Sequence, residues 1–353
     1  MSGSLLDSEK GRLVEFDYLR GLAIALIVLG HSIFLSEQGF PLLLENVLRG
    51  GTGLFVFISG FFFHRVFYQG FEYRHFMGKK LRLVLVPFLA ISLIGLGFRI
   101  IGWAQDGHGI DTLLLNSWYT VRNGFVLYPH WYVPFILLTF ACSPLHLRYI
   151  HAGFPWQIFW LLLFTLIALF IHRPDSNINQ LQSLVYFTPY YLLGILCSRY
   201  SQCLLTWQMP VLILGLLLWL ATAFTQTYVD VHVGNYHKHA LVWTGIDWQL
   251  LQTLGFCLWL LVVCRYLPSG RGSQHLRLLA DNSFPIFFVH PLLSILVENV
   301  IRISVQSGWS IPQGAWPALW ISALIFIFQL YGSLLVVLLL RRGWGEKSRW
   351  VIG

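Results

Sequence analysis

Charge is what this sequence has least of. Only 11% of its 353 residues are Asp, Glu, Lys or Arg, whereas a soluble domain carries about a quarter. With 56% hydrophobic residues and a mean hydropathy of +0.66, a soluble globule is excluded and an integral membrane protein is indicated. No stretch is left over for a separate soluble domain. Cysteine is sparse too: the five, at 142, 197, 203, 257 and 264, show neither zinc-site nor disulfide-framework spacing. They read as small buried hydrophobes rather than acyl-carrying thiols. Acidic residues are outnumbered, giving a net charge of +8. In a soluble chain that would suggest nucleic acid; here the basic residues cluster between apolar runs and read as loop charge. No small-residue cleavage site follows the first apolar run, so an uncleaved first helix is expected rather than a signal peptide. There is no repeat and no low-complexity tract.

What the chain does have is apolar runs of membrane-spanning length. They fall at 16–36, 46–68, 80–101, 130–149, 156–172, 184–200, 209–226, 248–267, 283–303 and 317–341, each close to what a bilayer demands. The expected fold is all-α and integral to the membrane. It has about ten transmembrane helices in a single domain over 1–353, with short tails at 1–15 and 342–353. With both termini placed in the cytoplasm, 17 Lys and Arg fall inside. Only Arg49, Arg99, Arg122, Arg173, Lys238 and Arg302 fall outside, a bias that supports both the span count and the orientation. The same partition makes 102–129 and 227–247 outer loops. Their Trp and Tyr residues read as an interfacial belt or as sugar-stacking platforms.

The first run carries the most unusual polar groups. Asp17, Arg20 and His31 are spaced by three and eleven residues. At about 100° per residue they share one helix face, with His31 roughly 16 Å beyond Arg20, near the middle of the bilayer. An intramembrane ionisable group is a functional candidate by default. A neutral imidazole at His31 can take a proton from an attacking hydroxyl; a plain interhelical hydrogen bond is the competing reading. Asp17 and Arg20 are one turn apart, which fits a local ion pair, or leaves Arg20 to face an anionic group.

Other candidates follow in order. Gly53 and Gly60 lie on one face of the second run and read as helix-packing positions. Ser59 beside them can line a cavity but has no sequence-adjacent relay to make it a nucleophile. The cluster Arg74 to Arg82, with Lys79, Lys80 and Arg82, precedes Pro87. It either sets topology and meets lipid headgroups or clamps the phosphates of a donor. His130 and Trp131 open the fourth run, where His130 could hydrogen-bond a glycan and Trp131 stack on one, or both could be interfacial anchors. The ninth run opens Asp281-Asn282-Ser283-Phe284-Pro285, a capped start by its residue types. His290-Pro291 further on marks a local helix break.

Taken together, Phe16-Asp17-Tyr18-Leu19-Arg20-Gly21 with His31, Gly53-Leu54-Phe55-Val56-Phe57-Ile58-Ser59-Gly60-Phe61, Lys79-Lys80-Leu81-Arg82 with Pro87, and Phe284-Pro285-Ile286-Phe287-Phe288-Val289-His290-Pro291 resemble the membrane acyltransferase-3 family over nearly the whole chain. The resemblance implies a ten-helix enzyme that moves an acyl group, usually acetyl, from cytoplasmic acyl-CoA to a hydroxyl of a surface glycan or its lipid-linked precursor. It implies that Arg20 and His31 are the essential pair and that Lys79, Lys80 and Arg82 hold the donor. Lys79 keeps the charge of the family's arginine without its bidentate fork. The Ser-x-Glu-Glu motif of O-antigen acetylases is absent: His130-Trp131-Tyr132-Val133-Pro134 stands there, which resembles the polysaccharide and fucose O-acetylase branch. With no carboxylate in that helix, the base is left to His31, with His290 as its rival. No attached hydrolase-like domain is present to house a second transfer step.

The resulting expectation is a multi-pass O-acyltransferase of the bacterial inner membrane. It would use acetyl-CoA or another acyl-CoA as donor and a glycan or lipid-linked sugar as acceptor, with the lipid bilayer as surroundings, no metal and no nucleic acid. Asp17, Ser59, His130, Trp131 and His290 are its candidate cavity residues. The competing class is a glycan or small-solute transporter or flippase, since intramembrane His and Arg serve proton coupling equally well. A structural subunit of an export complex is a third reading.

Overall fold

The computed structural model describes residues 13–36, 38–123, 126–242 and 245–353. Lys10 and Arg12, counted above as cytoplasmic charge, and most of the expected tail 1–15 lie outside the described residues.

The fold is helical from end to end. In chain order the helices are α1 (Val14–Gly30), α2 (Leu42–Leu48), α3 (Gly51–Phe62), α4 (Tyr73–Lys80), α5 (Val86–Gln105), α6 (Ile110–Arg122), α7 (Tyr132–Ala141), α8 (Ser143–His151), α9 (Phe154–Ile171), α10 (Gln180–Arg199), α11 (Ser201–Thr206), α12 (Gln208–Tyr228), α13 (Trp248–Tyr266), α14 (Arg271–Asp281), α15 (Ser283–Gln306), α16 (Ala315–Trp344) and α17 (Arg349–Ile352). Two residue pairs, Arg173–Pro174 (β1) and His237–Lys238 (β2), form a short parallel bridge.

Every expected apolar run contains a helix, though the run at 16–36 is helical only to Gly30 and the one at 46–68 is broken at 49–50. Seven helices are long and apolar enough to cross a membrane among the described residues, or eight if the pair α7–α8, bent by 52°, is one span. The physical reason the number falls short of ten is visible in two elements. α1 is only 17 residues long. α10 carries Gln180, Gln182, Ser183, Thr188, three Tyr and an internal Pro189. Both are enclosed by neighbours, so neither needs a lipid-facing apolar surface. The lipid side is supplied elsewhere: Leu93 on α5, Leu162 on α9, Leu214 on α12 and Leu324 on α16 all stand exposed. Polar groups such as Asn46, Gln226, Gln249 and Gln252 are buried instead and hydrogen-bond one another.

Two helices cross at backbone contact. A Cβ on Gly60 of α3 would come within 2.1 Å of the Tyr191 carbonyl oxygen of α10, and one on Gly194 within 2.1 Å of the Phe57 carbonyl oxygen. Only glycine at both positions lets the backbones meet, as the small-residue reading of α3 anticipates. Pi-helical turns at Phe63–Phe67 and Leu81–Leu85 flank the hairpin that ends in α4; such turns recur where a helix must reposition side chains.

Several local expectations are corrected. Residues 110–122, placed in an outer loop, form α6, whose apolar residues Ile110, Leu114 and Trp118 are exposed. α15 runs unbroken through Pro291. Proline withholds one N–H from the Phe287 carbonyl, while the His290 Nδ1 lies 3.1 Å from the Ile286 carbonyl oxygen one turn back, which can only accept. Asn282 does not cap α15 with its side chain; its Oδ1 instead accepts from Arg341 at 2.6 Å. Cys197, Cys257 and Cys264 are buried as expected, but Cys203 is exposed.

Candidate active site

Three cavities follow one another through the bundle. The first is a groove of about 810 Å³ lined by Arg74, His75, Lys79, Arg82, Glu346, Lys347, Arg349 and Trp350. The second is a tunnel of about 530 Å³, lined by rings of Phe55, Phe62, Phe67, Phe76 and Phe140, with Arg20, Ser59, Lys79, Lys80, Tyr191, Ser283 and Arg349 as its polar points. The third, about 220 Å³, holds His31, Arg49, Tyr128, Trp131, Arg173, Asn235 and His237. Groove and tunnel share Lys79, Leu83 and Arg349. Tunnel and far cavity share Ile27, Tyr132 and Phe287. Those three side chains are the septum between the two.

α1 links tunnel and far cavity. Its middle presents Arg20, whose Nη2 donates to the Ala280 carbonyl at 2.8 Å and lies 3.4 Å from Ser283 Oγ. This ties α1 to the junction of α14 and α15. The helix ends at Gly30, and His31 follows as its C-terminal cap, not within the helix as the sequence suggests. The His31 ring stacks on His290 at 5.6 Å and meets the edge of Tyr128 at 5.4 Å. Among the described residues no hydrogen bond fixes the His31 imidazole, and no Asp or Glu lines its cavity. His290 is fully buried, and its Nε2 has no hydrogen-bond partner among the described residues.

The donor-side candidates divide between the first two spaces. Arg82 lies over the Trp350 ring at 4.4 Å and lines the groove. Lys79 stands at the seam. Lys80 turns into the tunnel, its ammonium 4.7 Å from the Phe67 ring, 5.4 Å from Phe76 and 4.4 Å from Phe140. Such a cage holds a cation by the ring quadrupoles. Ser59 lines the tunnel as anticipated, while its Oγ donates to the Phe55 carbonyl at 2.9 Å. Asp17 is buried on α1 and lines none of the three spaces.

Two candidates are placed differently from the sequence reading. His130 is fully buried among Phe88, Phe287 and Phe288 and does not reach the far cavity; it cannot touch a glycan there. Trp131 does line that cavity, but its ring stacks on Phe187 at 5.7 Å and carries the Arg173 guanidinium at 4.8 Å. It is therefore a support for Arg173 and not an open stacking platform.

Around His31, the outer loop 227–247 supplies Asn235 and His237, while the sequence reads Arg49 and Arg173 only as outer-side charge. Arg49 donates to Glu45 at 2.5 Å. Arg173 donates to Asn235 and Asn177 at 3.1 and 3.0 Å. Asn235 in turn donates to Asp247 at 3.3 Å, and Tyr186 donates to the same carboxylate at 3.0 Å. Asp247 caps α13 by accepting from the Leu250 N–H at 3.2 Å. Burial pushes the Asp247 carboxyl up to about 6, although its donors and Arg173 pull the other way. His237 Nδ1 lies 3.1 Å from the Pro174 carbonyl and so donates to it. Burial, then the Arg173 charge, brings this imidazole down to about 4. The sequence reading missed the C-terminal segment: Lys347 and Arg349, counted only as topology signals, come back against the groove with Trp350. The one available signal was their charge, which did not say where they fold.

The comparisons with curated proteins and with solved structures give no match. A family model described as an acyltransferase domain matches residues 13–340, and that stretch contains the whole of the tunnel lining except Arg349 and Gly353. The chain belongs to the acyltransferase-3 family and is a multi-pass membrane acyltransferase.

Proposed function

We propose that this enzyme moves an acetyl or other short acyl group from cytoplasmic acyl-CoA to a hydroxyl of a cell-surface glycan or its lipid-linked precursor. In this reading it sits in a bacterial inner membrane as one domain with ten spans and both termini in the cytoplasm. The observation that carries it is the run of shared lining residues. A basic groove opens into an apolar tunnel at Lys79 and Arg349, and the tunnel abuts the cavity of His31 at Ile27, Tyr132 and Phe287. A polyphosphate head suits the groove, where Lys79, Arg82, Lys347 and Arg349 offer charge-assisted hydrogen bonds. A thin pantetheine arm suits the tunnel. The thioester then stands against the septum, whose rings turn aside when the acceptor hydroxyl arrives from the His31 side.

The chemistry is a single displacement. His31 accepts the proton of the acceptor hydroxyl as its oxygen attacks the thioester carbonyl carbon. The tetrahedral oxyanion collapses, the carbon–sulfur bond breaks, and the departing thiolate takes the proton held on the His31 imidazolium, leaving the ester, free CoA and neutral His31. Stacking on His290 and contact with Tyr128 orient the imidazole, in the place a carboxylate takes in many His bases.

Thiol release from acetyl-CoA by purified protein in liposomes tests this. His31→Ala is expected to lower turnover by about 10²- to 10⁴-fold, the usual worth of a general base. Paired neutralisation, Lys79→Gln with Arg349→Gln, is expected to raise the KM for acetyl-CoA with little change in kcat. Wild-type rates in His31→Ala would remove the base from the scheme. A protein that neither binds nor consumes acetyl-CoA, yet moves a sugar with a proton gradient, would leave the transporter reading standing.

A further inference from the structure

The far cavity is built for more than a neutral hydroxyl. Its polar lining contains Arg49 and Arg173, His31 and His237, Asn235, Thr52 and Thr253, and no carboxylate. The two acids nearest the arginines, Glu45 and Asp247, are fully buried and stand outside the lining. Arg49 is held on one side only, whereas Arg173 is held at both ends of its fork by neutral groups. Arg49 gives Nη2 to Glu45. Arg173 gives Nη1 and Nη2 to two neutral amides while its flat face lies on Trp131 and Phe187. The Nε of Arg49 and the Nε of Arg173 are both buried and have no hydrogen-bond partner among the described residues. Both Nε atoms are closed off where they stand, so an anion in the cavity would meet the remaining guanidinium N–H groups, the Arg49 side chain being 32% accessible.

The surroundings hold these donors in place. Gly234 sits at φ +59°, and a Cβ there would come within 2.6 Å of Arg49 Cδ, so the 229–242 segment closes directly over the Arg49 stem. The bridge of β1 with β2 brings Arg173 beside His237. The Pro174 carbonyl takes the His237 Nδ1 proton and leaves Nε2 as an acceptor for a sugar hydroxyl.

We propose that this cavity is a subsite for an anionic group, a carboxylate or a phosphate monoester carried by the acceptor, held between Arg49 and Arg173 while a neighbouring hydroxyl faces His31. The proposal rests on the acyl-transfer reading for its meaning but not for its test. Arginine suits planar or tetrahedral oxyanions because its fork donates two parallel hydrogen bonds.

The test is equilibrium binding of glucose, glucuronate and glucose 6-phosphate to the detergent-purified full chain, followed by tryptophan emission, because Trp131 lies under Arg173. One of the two anionic sugars is expected to bind on the order of tenfold tighter than glucose or more, the usual worth of a charge-assisted hydrogen bond. Preference for glucuronate identifies a carboxylate, and preference for glucose 6-phosphate a phosphate. Arg173→Gln is expected to erase the preference and Arg173→Lys to keep part of it. Arg49→Gln gives an independent second reading should Arg173→Gln fail to fold. Equal binding of all three sugars, binding of none, or a preference that survives in both Gln variants overturns the proposal. Acetyl-CoA consumption by the same preparation is scored separately. If it is absent while the anion preference holds, the acyl-transfer reading falls and the subsite stands.

Discussion

The septum makes a quantitative demand. Phe287 lines both the tunnel and the far cavity and is only 6% exposed. Its ring contacts Tyr132 at 5.5 Å, Phe288 at 5.5 Å and His290 at 6.0 Å. Removing it in Phe287→Ala deletes a buried phenyl, which costs about 3–5 kcal/mol of stability. It also vacates room for about three water molecules at about 30 Å³ each. Because the gap lies between two existing cavities and beside the polar atoms of Tyr132 and His290, it would fill with water and not stay dry. Water would then reach a thioester from the His31 side. The expected result in acceptor-free liposomes is acetyl-CoA hydrolysis above the wild-type background, with a smaller fraction of acyl groups captured when an acceptor is supplied. Phe287→Leu retains most of the volume and should behave nearly as wild type. The measurement is thiol release with and without acceptor, alongside thermal unfolding to confirm that the variant is folded. A folded Phe287→Ala protein whose hydrolysis stays at background would refute the septum argument.

Two further outcomes follow from the geometry. Gly60→Ala places a methyl 2.1 Å from the Tyr191 carbonyl oxygen; relief requires the helices to part by about 1 Å, at an overpacking cost of about 1–3 kcal/mol, read as a lowered unfolding midpoint in detergent. Asp247 gives a pH signature: with its carboxyl pushed up to about 6, it is charged at pH 7 and largely protonated at pH 5. Loss of that charge leaves Arg173 less compensated, so glucuronate, itself still ionised, should bind tighter as pH falls from 7 to 5, and Asp247→Asn should flatten the dependence. The same shift raises stability at acid pH, since the folded carboxyl holds its proton longer, and the gain is lost as pH rises through 6.

How much of this was readable beforehand depends on range. The apolar runs fix where helices lie, because a bilayer sets their length, and each of the ten contains a helix. Arg20, Ser59, Lys79, Lys80 and Arg82 do line the groove or tunnel, since each is a polar group on an apolar or basic stretch with few other places to go. His31 lies at the end of its helix and not inside it, a boundary that periodicity resolves poorly. His130 and Trp131 misled because an interfacial aromatic looks the same whether its face is open or covered; Phe287 and Phe288 close over His130, and Arg173, 42 residues further along the chain, covers Trp131. The convergence of Arg49, Arg173 and Asn235 was invisible for the same reason. Each sits in a different connection, and only the packing of α2, α10 and α13 brings them to one cavity.

The contact of α3 with α10 has a mechanical meaning. Where Gly60 and Gly194 let carbonyl oxygens touch the opposite backbone, no side chain is available to bend, rotate or slide. α3 contributes Ser59 to the tunnel and Gly51 to Gly53 to the far cavity, and α10 contributes Tyr191 to one and Phe187 and Tyr190 to the other. The pair therefore acts as a keel running past both chambers. In the acyl-transfer reading, substrates on the two sides would exchange without rocking the bundle at this crossing. Handing a group across a wall calls for such a fixed crossing, whereas a carrier must move the wall itself.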